Sequence, residues 1–235
     1  CSGDTLHAAH VLMQAGLAGR RLVTLCAEAQ VTVGTALLSR GFSITEAHGD
    51  QPGAFAVLDR EARWMDFQPL AYINLKGFHD PNPSPESMAY WAEKQGITLR
   101  AVTSYTDGTK MQIEQVLVAN GLGARLAKPG LIGGAVADLG CLDHFADAAR
   151  ALGAPVSDYV VHPAVKGVVM LADNPIADLS PDFSAFAKLK TREGRAYSLL
   201  KPYCLVHREA ARTLREVVEG RPALLTNSLA PVATI

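Results

Sequence analysis

The chain has 235 residues and a mass of 25.0 kDa; 49% of its residues are hydrophobic and 19% charged, which is typical of a globular protein with a sizeable core. Its 22 basic and 23 acidic side chains give a formal charge of -1, which excludes strong attraction of the whole molecule to nucleic acid or to an anionic membrane. No apolar stretch approaches the roughly 20 residues of a membrane-spanning helix. Four widely spaced cysteines form no Cys-x-x-Cys pair, so we expect a reducing, cytoplasmic location.

The first 50 residues alternate helical and strand patterns at short spacing. Asp4 is a candidate N-cap, and Gly16 and Gly41 are candidate helix stops. The patterns predict, in order, a helix over 4–14, a strand over 22–27, a helix over 33–40 and a strand over 42–47. This order is typical of a parallel sheet with crossover helices, so we expect an α/β fold.

The next hundred residues continue with alternating elements. Turn-forming residues at 49–53 predict a loop, and a helical apolar face follows as far as Phe67. A strand is expected over 69–75, then a proline-rich loop over 76–85 and a helix over 86–95. A further amphipathic helix is expected over 111–120.

The last part of the sequence carries signals of both kinds. The stretch 122–140 is rich in glycine and is expected to be irregular. The remaining predicted elements are helices over 143–152 and 209–219 and strands over 157–161, 167–172 and 196–200. The tail, 223–235, shows no sign of a partner.

One segment before a predicted helix has the features of an anion site. Asp107 would cap the helix, so that free N–H groups of its first turn and the ammonium of Lys110 face one small volume that suits a carboxylate or phosphate. Glu114 follows four residues later on the same face. The alternative is that Asp107 is only a cap and that Lys110 and Glu114 form only a surface pair.

Polar side chains also follow two predicted strands. Lys76 ends one strand, where α/β enzymes place groups that face a ligand, and a lysine there can donate to a substrate oxygen or relay a proton. Asp50 and Gln51 follow the strand before it. The alternatives are a solvated loop lysine for Lys76 and an ordinary turn for Asp50 and Gln51.

Other kinds of site lack support in the sequence. Cys141 with His144 is half a metal site and His7 with His10 has no third ligand, so no metal site is predicted. No nucleophile elbow of the form G-x-S-x-G is present. The dinucleotide-binding fingerprint G-x-G-x-x-G is also absent from the chain.

Five short segments together resemble the homoserine-dehydrogenase-like oxidoreductases with a C-terminal SAF domain, a family that includes the 1-deoxy-D-xylulose 5-phosphate reductoisomerase-like enzymes. The similarity rests on their order and spacing, which cover most of the chain. The segments are Gln30-Val31-Thr32-Val33-Gly34, Gly49-Asp50-Gln51-Pro52-Gly53, Lys76-Gly77, Ser104 to Lys110 with Ile113-Glu114 and Val118-Ala119-Asn120, and Lys201-Pro202-Tyr203 followed by a helix that ends near Gly220.

The resemblance implies a domain arrangement. Residues 1–48 would be the C-terminal part of a Rossmann-like dinucleotide-binding domain, residues 49–222 a mixed α/β substrate domain, and residues 223–235 a tail or linker. The glycine loop would lie before Cys1 and the SAF domain after Ile235. The chain would then be the middle part of a longer protein and inactive by itself, because the helix N-terminus that binds pyrophosphate is missing.

The resemblance also implies an activity. It indicates an NAD(P)-dependent oxidoreductase that transfers hydride between NADP or NAD and a small anionic hydroxy or carbonyl substrate, in a homo-oligomer that binds neither nucleic acid nor membrane. Alternatives are a sugar-phosphate reductoisomerase, which predicts Arg125 or Lys128 near Lys110, and a non-catalytic remnant that binds an anion or a partner. The implied catalytic residues are Lys76, Asp107 and Lys110, the substrate-binding ones Asp50, Gln51, Tyr105, Thr109 and Glu114, and the cofactor-binding ones Ser2, Gly3 and Glu28.

Overall fold

The computed structural model describes residues 4–178 and 187–233, and its N-terminal part forms a small parallel sheet. Helix α1 (Thr5–Leu17) leads into strand β1 (Leu22–Thr24), which pairs in parallel with β2 (Ile44–Glu46). The crossover helix between the strands, α2, has three consecutive segments of which the middle one is π-helical: Ala27–Ala29, Gln30–Gly34 and Thr35–Ser39.

The boundary between β1 and α2 differs from the prediction. The expected strand over 22–27 is too long, because β1 ends at Thr24 and Ala27 already lies in the helix. The Thr24 hydroxyl accepts a hydrogen bond from the backbone N–H of Cys26 at 2.9 Å and thereby turns the chain out of the sheet. Because the chain leaves the sheet after Thr24, α2 begins at Ala27, well before the predicted start at Val33.

A second, mixed sheet of four strands has the order β4-β3-β5-β6. Strands β3 and β4 are parallel, whereas β5 is antiparallel to both β3 and β6. The strands are β3 (Gln68–Lys76), β4 (Val156–Val161), β5 (Gly167–Asp173) and β6 (Tyr197–Lys201). The predicted α/β fold, with a small parallel sheet followed by a mixed sheet, is confirmed.

Helices cover both faces of the mixed sheet. Phe55 packs with Tyr72 of β3 on one face, and Phe145 packs with Ile73 on the other, because neighbouring strand residues point to opposite faces. The helices are α3 (Gln51–Arg63), α4 (Pro85–Gln95), α5 (Leu99–Thr106), α6 (Thr109–Leu122), α7 (Asp143–Leu152), α8 (Pro175–Asp178) and α9 (Val206–Val218), with a short 3-10 turn at Leu139–Cys141.

Two helix starts correct the sequence interpretation. The predicted loop over 49–53 is wrong, because α3 begins at Gln51, with Asp50 as its N-cap and Pro52 in its first turn. Helix α6 begins at Thr109, before the expected Met111. Its N-cap position is Gly108, with a φ of 91°, rather than Asp107, although the Asp107 carboxylate accepts a hydrogen bond from the Thr109 N–H at 2.8 Å.

The segment after α9 lies against the body of the molecule. The carbonyl oxygen of Leu225 accepts a hydrogen bond from the N–H of Glu46 at 2.6 Å, beside β2. Further along, the side-chain oxygen of Asn120 accepts from the N–H groups of Val232 and Ala233 at 2.9 and 3.0 Å. Residues 224–233 therefore join β2 and α6, and no sequence pattern in the tail predicts these contacts.

The start of α3 packs tightly against the end of β2. A Cβ added to Gly53 would overlap the carbonyl oxygen of Ala47, a backbone atom that cannot move aside cheaply. We expect Gly53→Ala to lower the free energy of unfolding by about 1–3 kcal/mol, the usual cost of overpacking. Urea denaturation measures this, with Gln14→Ala on the exposed side of α1 as the control. Equal stability of the two variants would show that the contact is loose.

Within the described ranges, the helices are too short or too polar to cross a membrane.

Candidate active site

Two lysines from different elements meet at one buried glutamate. Lys76, the last residue of β3, places its Nζ 3.0 Å from Oε2 of Glu114, and Lys110, in the first turn of α6, places its Nζ 3.6 Å from Oε1. The Glu114 side chain is fully buried, while those of Lys76 and Lys110 are 17% and 19% exposed. A surface pair and a solvated loop lysine, the two alternative interpretations, are therefore excluded.

Hydrogen bonds from two side-chain amides fix the position of helix α6 against strand β3. Asn74 lies two residues before Lys76, on the same face of β3, and its Nδ2 donates to Oε2 of Glu114 at 2.9 Å. Next to Glu114, the side-chain amide of Gln115 donates to the carbonyl oxygens of Tyr72 and Asp158 at 3.0 and 2.6 Å. These bonds fix the rotation of α6, so Glu114 points at the end of β3.

Two further carboxyl groups are buried beside this cluster. Asp50 accepts a hydrogen bond from the N–H of Gln51 at 3.1 Å, and Glu46, at the end of β2, accepts one from the Gln30 amide at 2.7 Å. Burial raises the pKa of Asp50 to about 6; the charge of Glu114 adds to this effect, and that of Lys110 opposes it. Burial, reinforced by the charge of Asp50, raises the pKa of Glu46 well above its ordinary value.

The charges at the site follow from these shifts. Burial alone would raise the pKa of Glu114, but Lys76 and Lys110 outweigh it and hold that pKa below the ordinary value. Burial lowers the pKa of Lys110, but the charges of Glu114 and Asp50 outweigh it and raise the net value. At neutral pH Glu114 is therefore ionised and Lys110 stays protonated, while Asp50, with a pKa of about 6, can exchange a proton near neutrality.

Several buried acceptor atoms in this cluster have no hydrogen-bond partner among the described residues. A buried acceptor without a donor costs free energy, so such atoms mark a place for the hydroxyl or N–H of a bound molecule. The atoms are Oε1 of Gln30, Oε1 of Glu46, Oδ2 of Asp50, Oδ1 of Asn74 and Oε1 of Glu114.

Two of the other residues predicted from the sequence lie at the edge of the cluster. The Lys110 ammonium is 5.4 Å from the centre of the Tyr105 ring, a cation–π contact. The charge of Glu28 helps to raise the pKa of Lys110, and its carboxylate accepts a weak hydrogen bond from the Cys26 thiol at 3.5 Å. Both residues therefore lie near Lys110.

The rest of the predicted site residues are not drawn into the cluster. The Asp107 carboxylate binds the backbone of Thr109 and, within the described parts of the chain, forms no ion pair with either lysine. Gln51 contributes its backbone N–H to Asp50. Ser2 and Gly3 lie outside the described residues.

Sequence reasoning missed four residues at or near the site. Glu46 ends a strand just as Lys76 does, and Asn74 shares a face with Lys76, so strand periodicity could have found both. Lys166 carries its Nζ over Gly77, into the space that a Cβ there would fill, and His79 lies against Gly108. His79 lies in the predicted proline-rich loop over 76–85, the kind of segment that often covers a site, whereas no local signal points to Lys166, which lies in the loop between β4 and β5.

The raised pKa of Asp50 predicts a pH dependence of stability. Its pKa is about 6 in the folded protein against 3.8 ordinarily, so the unfolded state ionises first as pH rises. Between about pH 4 and pH 7 the wild-type protein should lose about 3 kcal/mol of unfolding free energy relative to Asp50→Asn, which keeps the helix cap but cannot titrate. Urea denaturation across this range measures the difference, and parallel pH curves would show that Asp50 has an ordinary pKa.

Among the residues that the structure describes, no three His, Cys, Asp or Glu side chains are grouped so as to hold a metal.

Comparison with known proteins shows that this cluster lies within a match to a protein family. No curated protein matches the chain. Residues 49–210 match the family described as "Oxidoreductase DRL, catalytic domain", and this range includes Asp50, Lys76, Lys110 and Glu114. Because the match covers more than half of the sequence, the chain belongs to the family of oxidoreductase DRL catalytic domains.

Proposed function

We propose that the chain carries the substrate site of an NAD(P)-dependent oxidoreductase of the homoserine-dehydrogenase-like type. The reaction is hydride transfer between a nicotinamide cofactor and a small anionic substrate with a hydroxyl or carbonyl group. The observation that carries the proposal is the pair of ammonium groups, Lys76 and Lys110, at one buried carboxylate. Membership of an oxidoreductase catalytic family supports an enzymatic role.

The balance of charge in the cluster suits an anionic substrate. Two ammonium groups face the ionised Glu114, and when Asp50 holds its proton one positive charge is left to attract an anion. Burial strengthens this attraction, because the site has a lower effective dielectric constant than water. Lys76 and Lys110 would bind the substrate's charged group and stabilise negative charge that develops on its oxygen.

Asp50 is the proposed proton carrier. An anion bound nearby raises the pKa of Asp50 further, so the carboxyl group holds its proton when substrate is present. In the direction of carbonyl reduction it can give that proton to the substrate oxygen, and in the reverse direction it can accept one. Lys110 is unsuited to this role, because its pKa lies above the ordinary value.

The cofactor assignment rests on residues at the carboxyl end of the parallel sheet. Oε1 of Gln30 and Oε1 of Glu46 are buried acceptors without a donor among the described residues, and they suit the amide N–H groups of a nicotinamide. Glu28, near Lys110, would add a further contact. When bound, the reduced cofactor would supply the hydride and the oxidised cofactor would accept it.

A sugar-phosphate reductoisomerase is the second candidate. Lys166, beside Gly77, adds a third ammonium near Lys76, and that favours a substrate with a phosphate. Arg125, however, bridges to Val156 at the start of β4, whereas Lys76 pairs with Val161 at its end. Arg125 is thus about 17 Å along the strand from the lysines and does not provide the predicted phosphate contact.

Transfer of deuterium from the cofactor to a substrate carbon tests the proposal. The intact protein is incubated with NADPH or NADH deuterated at C4 and with a panel of small oxo acids and keto sugar phosphates, and the products are analysed by mass spectrometry. We expect deuterium on carbon in an anionic product. A phosphorylated product with a rearranged skeleton identifies the reductoisomerase. Tight binding of a substrate without any transfer of label identifies a non-catalytic anion-binding protein and contradicts the proposal.

A further inference from the structure

One cavity lies away from the lysine cluster, between α3, α9 and the segment that follows α9. Its volume is about 850 Å³, enough for a molecule of nucleotide size. Asp50 begins α3 and Arg60 lies ten residues further on, so at 1.5 Å per residue the two are about 15 Å apart. This cavity is therefore a separate place on the molecule.

Arginines dominate the polar lining of the cavity. The four are Arg60, Arg212, Arg215 and Arg221, against three acidic residues, Asp59, Glu216 and Glu219. Each acidic residue already has a partner: Asp59 binds Arg63, which lies outside the lining, Glu216 binds Arg212, and Glu219 binds Arg215. Arg221 also lies 3.7 Å from Glu219, so among the described residues Arg60 is the lining arginine that forms no ion pair.

Arg60 carries the unbalanced charge. Its Nε is buried and has no hydrogen-bond partner in the described part of the chain, and no carboxylate among those residues forms an ion pair with it. A guanidinium group has five N–H donors in a plane, which match phosphate or carboxylate oxygens. Arg212 and Arg215 bind their glutamates through Nε, at 3.0 and 2.8 Å, so these bonds do not use their terminal N–H groups.

An exposed indole ring borders the same cavity. Trp64 is 77% exposed, and the Arg60 guanidinium lies 5.9 Å from the centre of its ring. A planar ring can stack on the exposed indole, and the neighbouring guanidinium can bind an anionic group of the same ligand. We propose that this cavity binds a ligand with a planar ring and a phosphate group, such as a nucleotide, with the ring on Trp64 and the phosphate on Arg60.

Fluorescence of the two tryptophans provides the test. The chain contains only Trp64 and Trp91, so Trp91→Phe reports on Trp64 alone and Trp64→Phe on Trp91 alone. ADP is titrated into each variant, with adenosine and ribose 5-phosphate as probes that lack the phosphate or the ring. Arg60→Gln in the Trp91→Phe background removes the cation, and Arg20→Gln, on an exposed turn, is the matched control.

We expect ADP to quench Trp64 saturably, with a dissociation constant below about 1 mM, and Arg60→Gln to weaken binding at least about tenfold. Arg20→Gln should leave the dissociation constant unchanged, and adenosine and ribose 5-phosphate should each bind at least about tenfold more weakly than ADP. Calorimetric titration of Trp64→Leu gives a second measure and should show the same weakening. Absence of saturable quenching, or equal affinity in Arg60→Gln, overturns the proposal.

Discussion

Replacing Lys76 or Lys110 by Met is expected to lower kcat/KM for hydride transfer about 10²–10³-fold, the usual cost of removing one group that stabilises an oxyanion. Methionine keeps most of the length of the side chain but not the ammonium that faces Glu114. The loss should appear in both constants: KM rises because the ammonium binds the substrate's charged group, and kcat falls because the charge on the substrate oxygen grows in the transition state. Steady-state absorbance of NADPH at several substrate concentrations measures both constants.

The control for this prediction is Lys128→Met. Lys128 is exposed and lines a different cavity, together with Arg125. Its replacement should leave kcat/KM within about twofold of the wild-type value if the losses at Lys76 and Lys110 come from the site itself. If Lys76→Met and Lys110→Met both retain wild-type kcat/KM, the two ammonium groups have no part in the reaction.

Glu114→Gln is expected to cost about 3 kcal/mol of unfolding free energy, at the lower end of the range for breaking a buried ion pair. The carboxylate is fully buried and serves two lysines and the amide of Asn74. Without it, two largely buried ammonium groups repel each other and lose their counter-charge. Both lysines retain some contact with water, which keeps the expected loss of unfolding free energy at the lower end of that range.

Urea denaturation of Glu114→Gln and of a matched variant separates the loss of the buried charge from the general effect of replacing a glutamate by glutamine. Glu93→Gln makes the same substitution at an exposed position on α4 and should change stability by less than about 0.5 kcal/mol. Similar unfolding midpoints for the two variants would mean that Glu114 is not the counter-charge that holds the cluster together.

Sequence patterns predicted the helices and strands correctly where the patterns were strong. Runs of apolar residues located β3 and β5, and helical spacing located α7 and most of α6. Helix α5 was missed. It spans only Leu99–Thr106, its N-cap is Thr98, and it buries few side chains, so its apolar pattern is too short to recognise.

The sequence predicts the individual residues of the lysine cluster but not that they meet. The position of Lys76 at a strand end and the spacing of Lys110 and Glu114 are local features of the sequence. Their meeting depends on how α6 packs on β3, because Lys76 and Glu114 are 38 positions apart. Glu46 was overlooked because the predicted strand extends over 42–47 and so places this residue inside the strand, whereas the observed strand ends at it. Burial, which sequence does not supply, is what perturbs its pKa.

A double-mutant cycle on kcat/KM for Lys76→Met and Lys110→Met tests most directly whether the two lysines act as one site. Both contact the same carboxylate, so the account predicts that the double variant loses far less than the product of the two single losses, a coupling free energy above about 1 kcal/mol. Losses that multiply, with a coupling below about 0.5 kcal/mol, would mean that the lysines act independently and would contradict the shared site.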